Sequence, residues 1–389
     1  MPGPASPSIY LDHNGTTPVD PDVLAVMQPC FEEAYGNPSS PHPPGRRARE
    51  ALETHRAHVA RLLGCEPSEI VFTSGGSESN NTVLKGVVNP AEASRYHVIT
   101  SAIEHPAVLN PALHLAELGA GLTVLPVDGR GLVDPDAVRE SIEPRTALVS
   151  VMLANNETGA LQPVREIARI ARERGVPVHT DAAQAVGKIP VDVGELGVDF
   201  LTVAGHKLYA PKGVGALFVR KGRSLIPLIH GAAQEGGLRA GTESAALAAG
   251  LGEACRIAEE RLPRDMEALR AMRDRLQAIL FDSVDGLVLN GPQEGRLPNT
   301  LFVSVPGLEG GRILEGIPTL FASTGAACHD RFVTLSHVLS AMGVPPEVGM
   351  GALRLTLGRS NTMEQVEEAA RLIAGRVQEL RKEKGGGER

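Results

Sequence analysis

The chain has 389 residues, 42% of them apolar and 22% charged, with a formal net charge of −8. This is the composition of a globular protein, long enough for about two or three domains of roughly 100–200 residues each. An acidic balance gives no reason to expect nucleic acid or an anionic membrane as partner. No apolar run approaches the ~18 residues that cross a bilayer. The opening "MPGPASPSIY" has neither a basic nor an apolar leader region, so no signal peptide is expected.

Short β-branched runs alternate with helical periods along the first two thirds of the chain. Strands are predicted for "EIVFT" (69–73), "HVITS" (97–101), "LTVLPV" (122–127), "ALVSVML" (147–153), "VPVHTDA" (176–182), "DFLTVAG" (199–205) and "VGALFVR" (214–220). Helical stretches such as "NNTVLKGVV" and "VREIARIARERG" lie between them. Continuous apolar strands alternating with helices predict an α/β fold on a buried, mostly parallel sheet, with the last pair of strands antiparallel. After about Ser244 a long helical segment runs to roughly Leu280. Strands "TLFVSV" (300–305) and "ALRLTLG" (352–358) and a final helix from Met363 follow it. The expected organisation is a large domain over 15–255 and a smaller α+β domain over 256–389, joined by roughly residues 1–14.

The four cysteines, Cys30, Cys65, Cys255 and Cys328, are far apart and lack metal-binding spacing. A reducing cytoplasm is therefore the expected compartment, with no metal and no disulfide framework. Three of the cysteines read as small packed hydrophobes. Cys328, in "STGAACHDRF", reads either that way or as a thiol held out for chemistry.

Three stretches together suggest a site. In "FTSGGSESNN" a strand ends, Gly75 and Gly76 make a turn, and Ser77 and Glu78 open a helix whose free N–H groups suit a phosphate. In "VHTDAAQAVGK" Asp181 closes an apolar strand, where ligands of open α/β sheets collect. In "GHKLYAPKG" Lys207 follows another strand and can serve as an amine nucleophile, whereas Lys212 reads as a surface lysine. A phosphate cradle, a carboxylate and a lysine are what pyridoxal phosphate requires, and His105 in "SAIEHPAVL" is a candidate stacking partner for its ring.

Ten motifs occur in order: "YLDHNGTTP", "GNPSS", "FTSGGSESNN", "EHPAV", "LANNETG", "HTDAAQAVGK", "GHKLYAPKGVGAL", "RAGTES", "STGAACH" and "LRLTLGRS". Together they resemble the NifS/IscS-type cysteine desulfurase and selenocysteine lyase family of class V aminotransferases. The resemblance implies the fold type I of pyridoxal phosphate-dependent transferases, with a seven-stranded sheet. It implies that Lys207 forms the Schiff base, Asp181 pairs with the pyridine nitrogen and Gln184 bonds the ring hydroxyl. His105 would stack on the ring and assist proton transfer, and Gly76, Ser77 and His206 would bind the phosphate. Thr242 would reach in from the second subunit of a homodimer. Asn155 and Arg354 would hold the substrate, L-cysteine or L-selenocysteine, with Asn37 supporting its carboxylate. Asn155 would also touch the cofactor. Cys328 would take the sulfur as a persulfide from a mobile loop rather than a strand, and pass it to an acceptor protein. The pattern departs at Ala204 and Gly205, where the family carries a phosphate-binding serine; Thr202 is the nearest alternative hydroxyl. It departs again in "HGAAQEG" and at Ser244 in "GTES". The competing readings are a selenocysteine lyase and, on the same fold, an aminotransferase with no use for Cys328.

Overall fold

The computed structural model describes residues 8–329 and 332–386, without the side chains of 326–333 and 385–386. Seven strands make the main sheet: β1 (Ile70–Thr73), β2 (His97–Ser101), β3 (Gly121–Leu125), β4 (Thr146–Ser150), β5 (Val178–Asp181), β6 (Phe200–Ala204) and β7 (Gly215–Val219). Their order is β1-β7-β6-β5-β4-β2-β3, with β7 antiparallel to both neighbours and the remaining pairs parallel. β1, β2, β5, β6 and β7 are buried at every position. Burial on both faces explains why their sequences run apolar without alternation, as parallel sheets covered by helices require. Pro126 and Pro177 lack an N–H for the ladder, so β3 ends sooner and β5 begins later than the apolar runs predict.

Because β1 runs against β7 and β7 against β6, strands β1, β2, β4, β5 and β6 all end on one edge of the sheet. Two helices start there: α1 (Gly76–Val87) after β1 and α2 (Pro106–Glu117) after β2.

A 39-residue helix, α3 (Ala245–Ser283), belongs to two cores. Leu251, Ala254, Cys255 and Ile257 pack with the main sheet, whereas Leu269, Leu276 and Leu280 join a second cluster with Ile9, Leu11, Leu353 and Ile373. The second cluster covers a small antiparallel sheet made of β8 (Val288–Leu289), β9 (Thr300–Ser304), β10 (Ser323–Thr324) and β13 (Ala352–Thr356), in the order β10-β13-β9-β8. Against it lies α4 (Met363–Gly386). Between β10 and β13, β11 (Ala326–His329) pairs antiparallel with β12 (Phe332–Leu335). Among the described residues no helix is long and apolar enough to cross a membrane.

The helix Pro43–Leu63 crosses α3 at Gly252, where an added Cβ would stand 2.4 Å from Cβ of His55 and 2.6 Å from its carbonyl oxygen. Backbone and Cβ atoms cannot give way as a side-chain tip can. Gly252→Ala is expected to push the helices apart and cost about 1–3 kcal/mol. This is measured as a lowered midpoint of thermal unfolding against a surface control such as Glu260→Ala; an unchanged midpoint contradicts the close approach.

Candidate active site

At the edge where the strands end lies a cleft of about 380 Å³, lined by Asn14, Gly76, Ser77, Asn80, His105, Asp181, Gln184, Ala204, His206, Lys207 and Arg354, among others. One wall is the start of α1. Gly75 precedes it at φ 148°, a conformation that residues with a Cβ rarely adopt, and no side chain caps the helix. Uncapped N–H groups beside the cleft at Gly76 and Ser77 favour an anion.

Lys207 follows β6 in a single 3₁₀ turn. Its Nζ donates to the main-chain carbonyls of Asn14 (2.5 Å) and Gly15 (2.6 Å) and has no carboxylate partner within salt-bridge distance among the described residues. Burial, followed by the Arg354 cation, pushes its pKa down to about 8, with Asp12 and Asp181 opposing the shift only in part. Asp181, at the end of β5, is buried and doubly held: Oδ2 accepts from Asn80 Nδ2 at 2.7 Å and Oδ1 from Ala183 N at 2.9 Å. Two donors fix the carboxylate in direction without pairing it with a cation.

His105 caps α2. Its Nδ1 accepts from Ala107 N at 3.1 Å, which leaves the proton of the neutral ring on Nε2. The ring is reachable from the open cleft, yet protein surrounds it on its other sides. Burial, with Lys207 and His337 nearby, lowers its pKa against the pull of Asp181. His206 is held to Thr16 Oγ1 at 3.2 Å, and burial followed by Lys207 pushes its pKa down to about 4. Arg354, on β13, enters from the second core. Its Nη2 donates to Asp12 Oδ1 at 2.7 Å, and its buried Nε has no partner among the described residues.

Other residues expected at the site stand elsewhere. Asn155 is fully buried and absent from the cleft wall. Its Oδ1 accepts from Glu157 N and Thr158 N, both at 2.9 Å, and its Nδ2 donates to Ile103 O at 3.1 Å. The side chain is consumed in shaping the turn, and its neighbour Asn156 lines the cleft instead. Asn37 is exposed and accepts from Ser39 N. Thr242, expected at the neighbouring subunit's site and not at its own, is exposed and lines a separate small cavity with Glu235 and Arg239. The hydroxyl of Thr202 does not replace the family's serine, because Thr202 is fully buried and bonded to His179 Nε2 at 3.1 Å. Cys328 was expected on a loop, but its backbone is in β11 opposite Val333. Pairing with the β-branched run of β12 satisfies N–H and C=O groups that a loop would leave open. The Cys328 side chain lies outside the described residues. Cys30 and Cys255 are buried; Cys65, half-buried, has its thiol pushed up to about 12 by burial and neighbouring acids.

Four residues of the site were not singled out from sequence. Asn14 supplies the carbonyl under Lys207, and Asn80 orients Asp181. Lys188 is buried against Gln184. Glu104 is wholly buried beside His105; it accepts from Ser101 Oγ (2.5 Å) and Met152 N (3.0 Å), and burial raises its pKa to about 8. Each lies inside a quoted motif, but its partner is distant in sequence or its role needs depth rather than spacing. Away from the cleft, His55, His58 and Glu253 cluster between helices, where both Glu253 oxygens accept from Arg256.

Two outcomes follow from these acidities. Acylation of Lys207 in the cofactor-free protein, read by mass spectrometry across pH, is expected to rise with an inflection near 8. An inflection at the ordinary lysine value of about 10.4 contradicts this environment. For Glu104 the native pKa lies above the unfolded one, so its stabilising contribution is complete below the unfolded value and lost as pH rises through about 8. Glu104→Gln removes that loss. The unfolding free energy of the variant, measured by denaturant titration, should gain on the wild type from pH 5 to pH 8, with a slope of at most about 1.4 kcal/mol per pH unit. A constant difference across that range contradicts the buried acid.

The family model described as aminotransferase class-V matches residues 9–369. A protein of Dictyoglomus turgidum named cysteine desulfurase IscS is 43% identical over 378 residues, covering 96% of this chain and 95% of that one. A protein of the same name from Methanosarcina thermophila is 42% identical, covering 96% and 93%. Among solved structures, a NifS-like protein superimposes with a TM-score of 0.89 at 38% identity, over 95% of this chain and 99% of the other. A structure described as SspA in complex with cysteine matches with a TM-score of 0.81 at 36% identity, over 90% and 98%. Matches over nearly the whole chain on both sequence and fold, together with a lysine and a held aspartate lining one cleft, lead to one assignment: the chain belongs to the class-V aminotransferase family, in its NifS/IscS-type group.

Proposed function

We propose that the protein is a pyridoxal phosphate-dependent cysteine desulfurase, which converts L-cysteine to L-alanine and retains the sulfur as a persulfide on Cys328. The observation that carries this reading is the convergence on one sheet edge of a lysine with lowered pKa, a fixed aspartate, an uncapped helix start and an arginine. The residues fit the cofactor. The cleft has an anion cradle at Gly76 and Ser77 for the phosphate, with His206 beside it. Asp181 would face the pyridine nitrogen, Gln184 the ring hydroxyl and His105 the ring face. When bound, pyridoxal phosphate supplies an electron sink for bonds at the substrate's α-carbon.

The chain's own groups do the rest. Lys207, with its amine neutral above about pH 8, is a nucleophile for a carbonyl and afterwards a base for the substrate's α-proton. Arg354, with an unpartnered Nε, receives the substrate carboxylate, taking Asp12 as its resting partner. The thiolate of Cys328 attacks the substrate sulfur, so that an S–S bond forms and the substrate's C–S bond breaks. The electron pair of that bond remains with carbon, which takes a proton and leaves as alanine. The sum is redox-neutral: one cysteine and one thiol give one alanine and one persulfide. A homodimer in which Thr242 completes the neighbouring phosphate site, a sulfur-acceptor protein and a cytoplasmic location belong to the same proposal.

The test is turnover of L-cysteine by the purified protein reconstituted with pyridoxal phosphate, with alanine and sulfide measured in the presence of dithiothreitol. Cys328→Ala is expected to lose at least about a hundredfold in sulfide release while still taking up the cofactor, as removal of a covalent nucleophile does. Full sulfide release by that variant overturns the persulfide step. Turnover confined to L-selenocysteine replaces the reading with a selenocysteine lyase. Arg354→Leu is expected to raise KM more than it lowers kcat.

A further inference from the structure

Lys188 is a lysine without a counter-charge. Its side chain is buried, and its Nζ donates to Gln184 Oε1 at 2.7 Å and Asn14 Oδ1 at 3.0 Å. Among the described residues no carboxylate lies within salt-bridge distance of it. A buried ammonium with only amide partners is costly, and such an amine gives up its proton instead. Burial, followed by Lys207 and Arg354, pushes its pKa well down. What the amine retains is its capacity to donate, which decides how its neighbours face. Gln184 Nε2 donates to the main-chain oxygen of Asn14 at 3.0 Å, an atom that can only accept. With Lys188 on the opposite atom, the Gln184 amide has one orientation. Its oxygen is directed to Lys188, and its NH₂ is directed to Asn14, with one hydrogen to spare at the cleft wall.

We propose that Lys188 is a positioning residue that locks the Gln184 amide with its N–H edge toward the cleft, so that the site receives a hydrogen-bond acceptor on the bound ring and rejects a donor. Asn14 is locked by the same amine: its Oδ1 accepts from Lys188 and from Asn299 Nδ2 at 3.1 Å, and its Nδ2 donates to Thr300 Oγ1 at 2.9 Å. Without Lys188 the Gln184 oxygen is buried unpaired, and the Asn14 carbonyl alone is left to hold the amide's N–H edge toward the cleft. The inference rests on the reading of the cleft as a pyridoxal phosphate site.

The experiment is a double-mutant cycle on cofactor affinity, by equilibrium dialysis of pyridoxal phosphate against cofactor-free protein. Lys188→Met and Gln184→Leu are each expected to weaken binding about tenfold, and the double variant also about tenfold rather than a hundredfold. The visible absorption band of the bound cofactor should shift alike in both single variants. A merely structural role would not produce that shift. Burial without a counter-charge favours the uncharged amine, so Lys188→Met is expected to leave the inflection of Lys207 acylation near 8, whereas loss of a cation would raise it. Should Lys188→Met fail to fold, judged by its melting transition, Lys188→Gln replaces it and is expected to weaken binding less. Additive effects in the cycle, an unshifted band, or a raised Lys207 inflection overturn the proposal while the wild type still binds cofactor. Absence of cofactor uptake by the wild type overturns the functional reading itself.

Discussion

The carbonyl oxygen of Asn14 accepts from Lys207 Nζ and from Gln184 Nε2, and this shared acceptor organises the site. The remainder of Asn14 is equally occupied. Its N–H donates to Thr356 Oγ1, its Nδ2 to Thr300 Oγ1 and Asn156 O, and its Oδ1 accepts from Lys188 and Asn299. One buried residue thereby joins the N-terminal segment to β9, β13 and the ends of β4, β5 and β6. Each of these groups would cost about 1–3 kcal/mol if buried unpaired, so the arrangement tolerates little rearrangement. The neighbouring residues extend the seam: Thr17 N and Oγ1 donate to His206 O, and Thr17 Oγ1 accepts from Tyr209 N. The turn that bears the lysine is held from both sides by the first residues of the chain.

Within this frame the charges are left incompletely matched. Lys207 meets only carbonyls, Lys188 only amides, and Arg354 has one ion pair and an idle Nε. Carbonyl acceptors hold an amine in place without committing its charge, which a carboxylate partner would do by raising its pKa. Asp181 is the counterpart, a carboxylate held by an amide and a main-chain N–H rather than by a cation. Both groups thus remain free to pair with a ligand, and their reactivity derives from what has been withheld from them.

How much of this was legible in the sequence depended on the range over which each signal acts. The strands were readable from β-branched apolar runs because burial on both faces leaves a local imprint. Lys207 and Asp181 were readable as polar residues at the ends of such strands, and Gly75 as a residue suited to a sharp turn into a helix. Asn155 and Asn156 were not separable, since adjacent asparagines differ only in which one the turn consumes. Thr202 looked available because it lies two residues before Ala204 on the same strand face. Its hydroxyl is instead taken by His179 on the adjacent strand β5, a pairing that register alone decides. Asn14 and Lys188 were hidden more deeply, being 174 residues apart, with no local feature marking either as a partner of the other. The strand character of Cys328 was missed because small residues in "STGAACH" suggest a loop, whereas the pairing partner "FVTL" supplies the β propensity.

The two cores meet in a way that bears on the chemistry. Lys207 and Asp181 are placed by the main sheet, whereas Arg354 is placed by β13 of the second sheet. The cleft therefore exists only where the two cores are in register. α3 supplies a continuous rod through both, and Asn14 ties their facing edges. The base of the hairpin that carries Cys328 is closed by Ser336 N donating to Gly325 O at 2.9 Å, and it too is fastened to the main sheet. Ser336 Oγ donates to Glu157 Oε2 at 2.6 Å, and His337 Nε2 lies 2.9 Å from Glu104 O. Those two anchors sit on the loops after β4 and β2, the loops that also present Asn156 and His105 to the cleft. A displacement of either loop is therefore felt at the cleft wall and at the root of the cysteine hairpin together. The geometry of the cleft is in this way coupled to the placement of the backbone that carries Cys328.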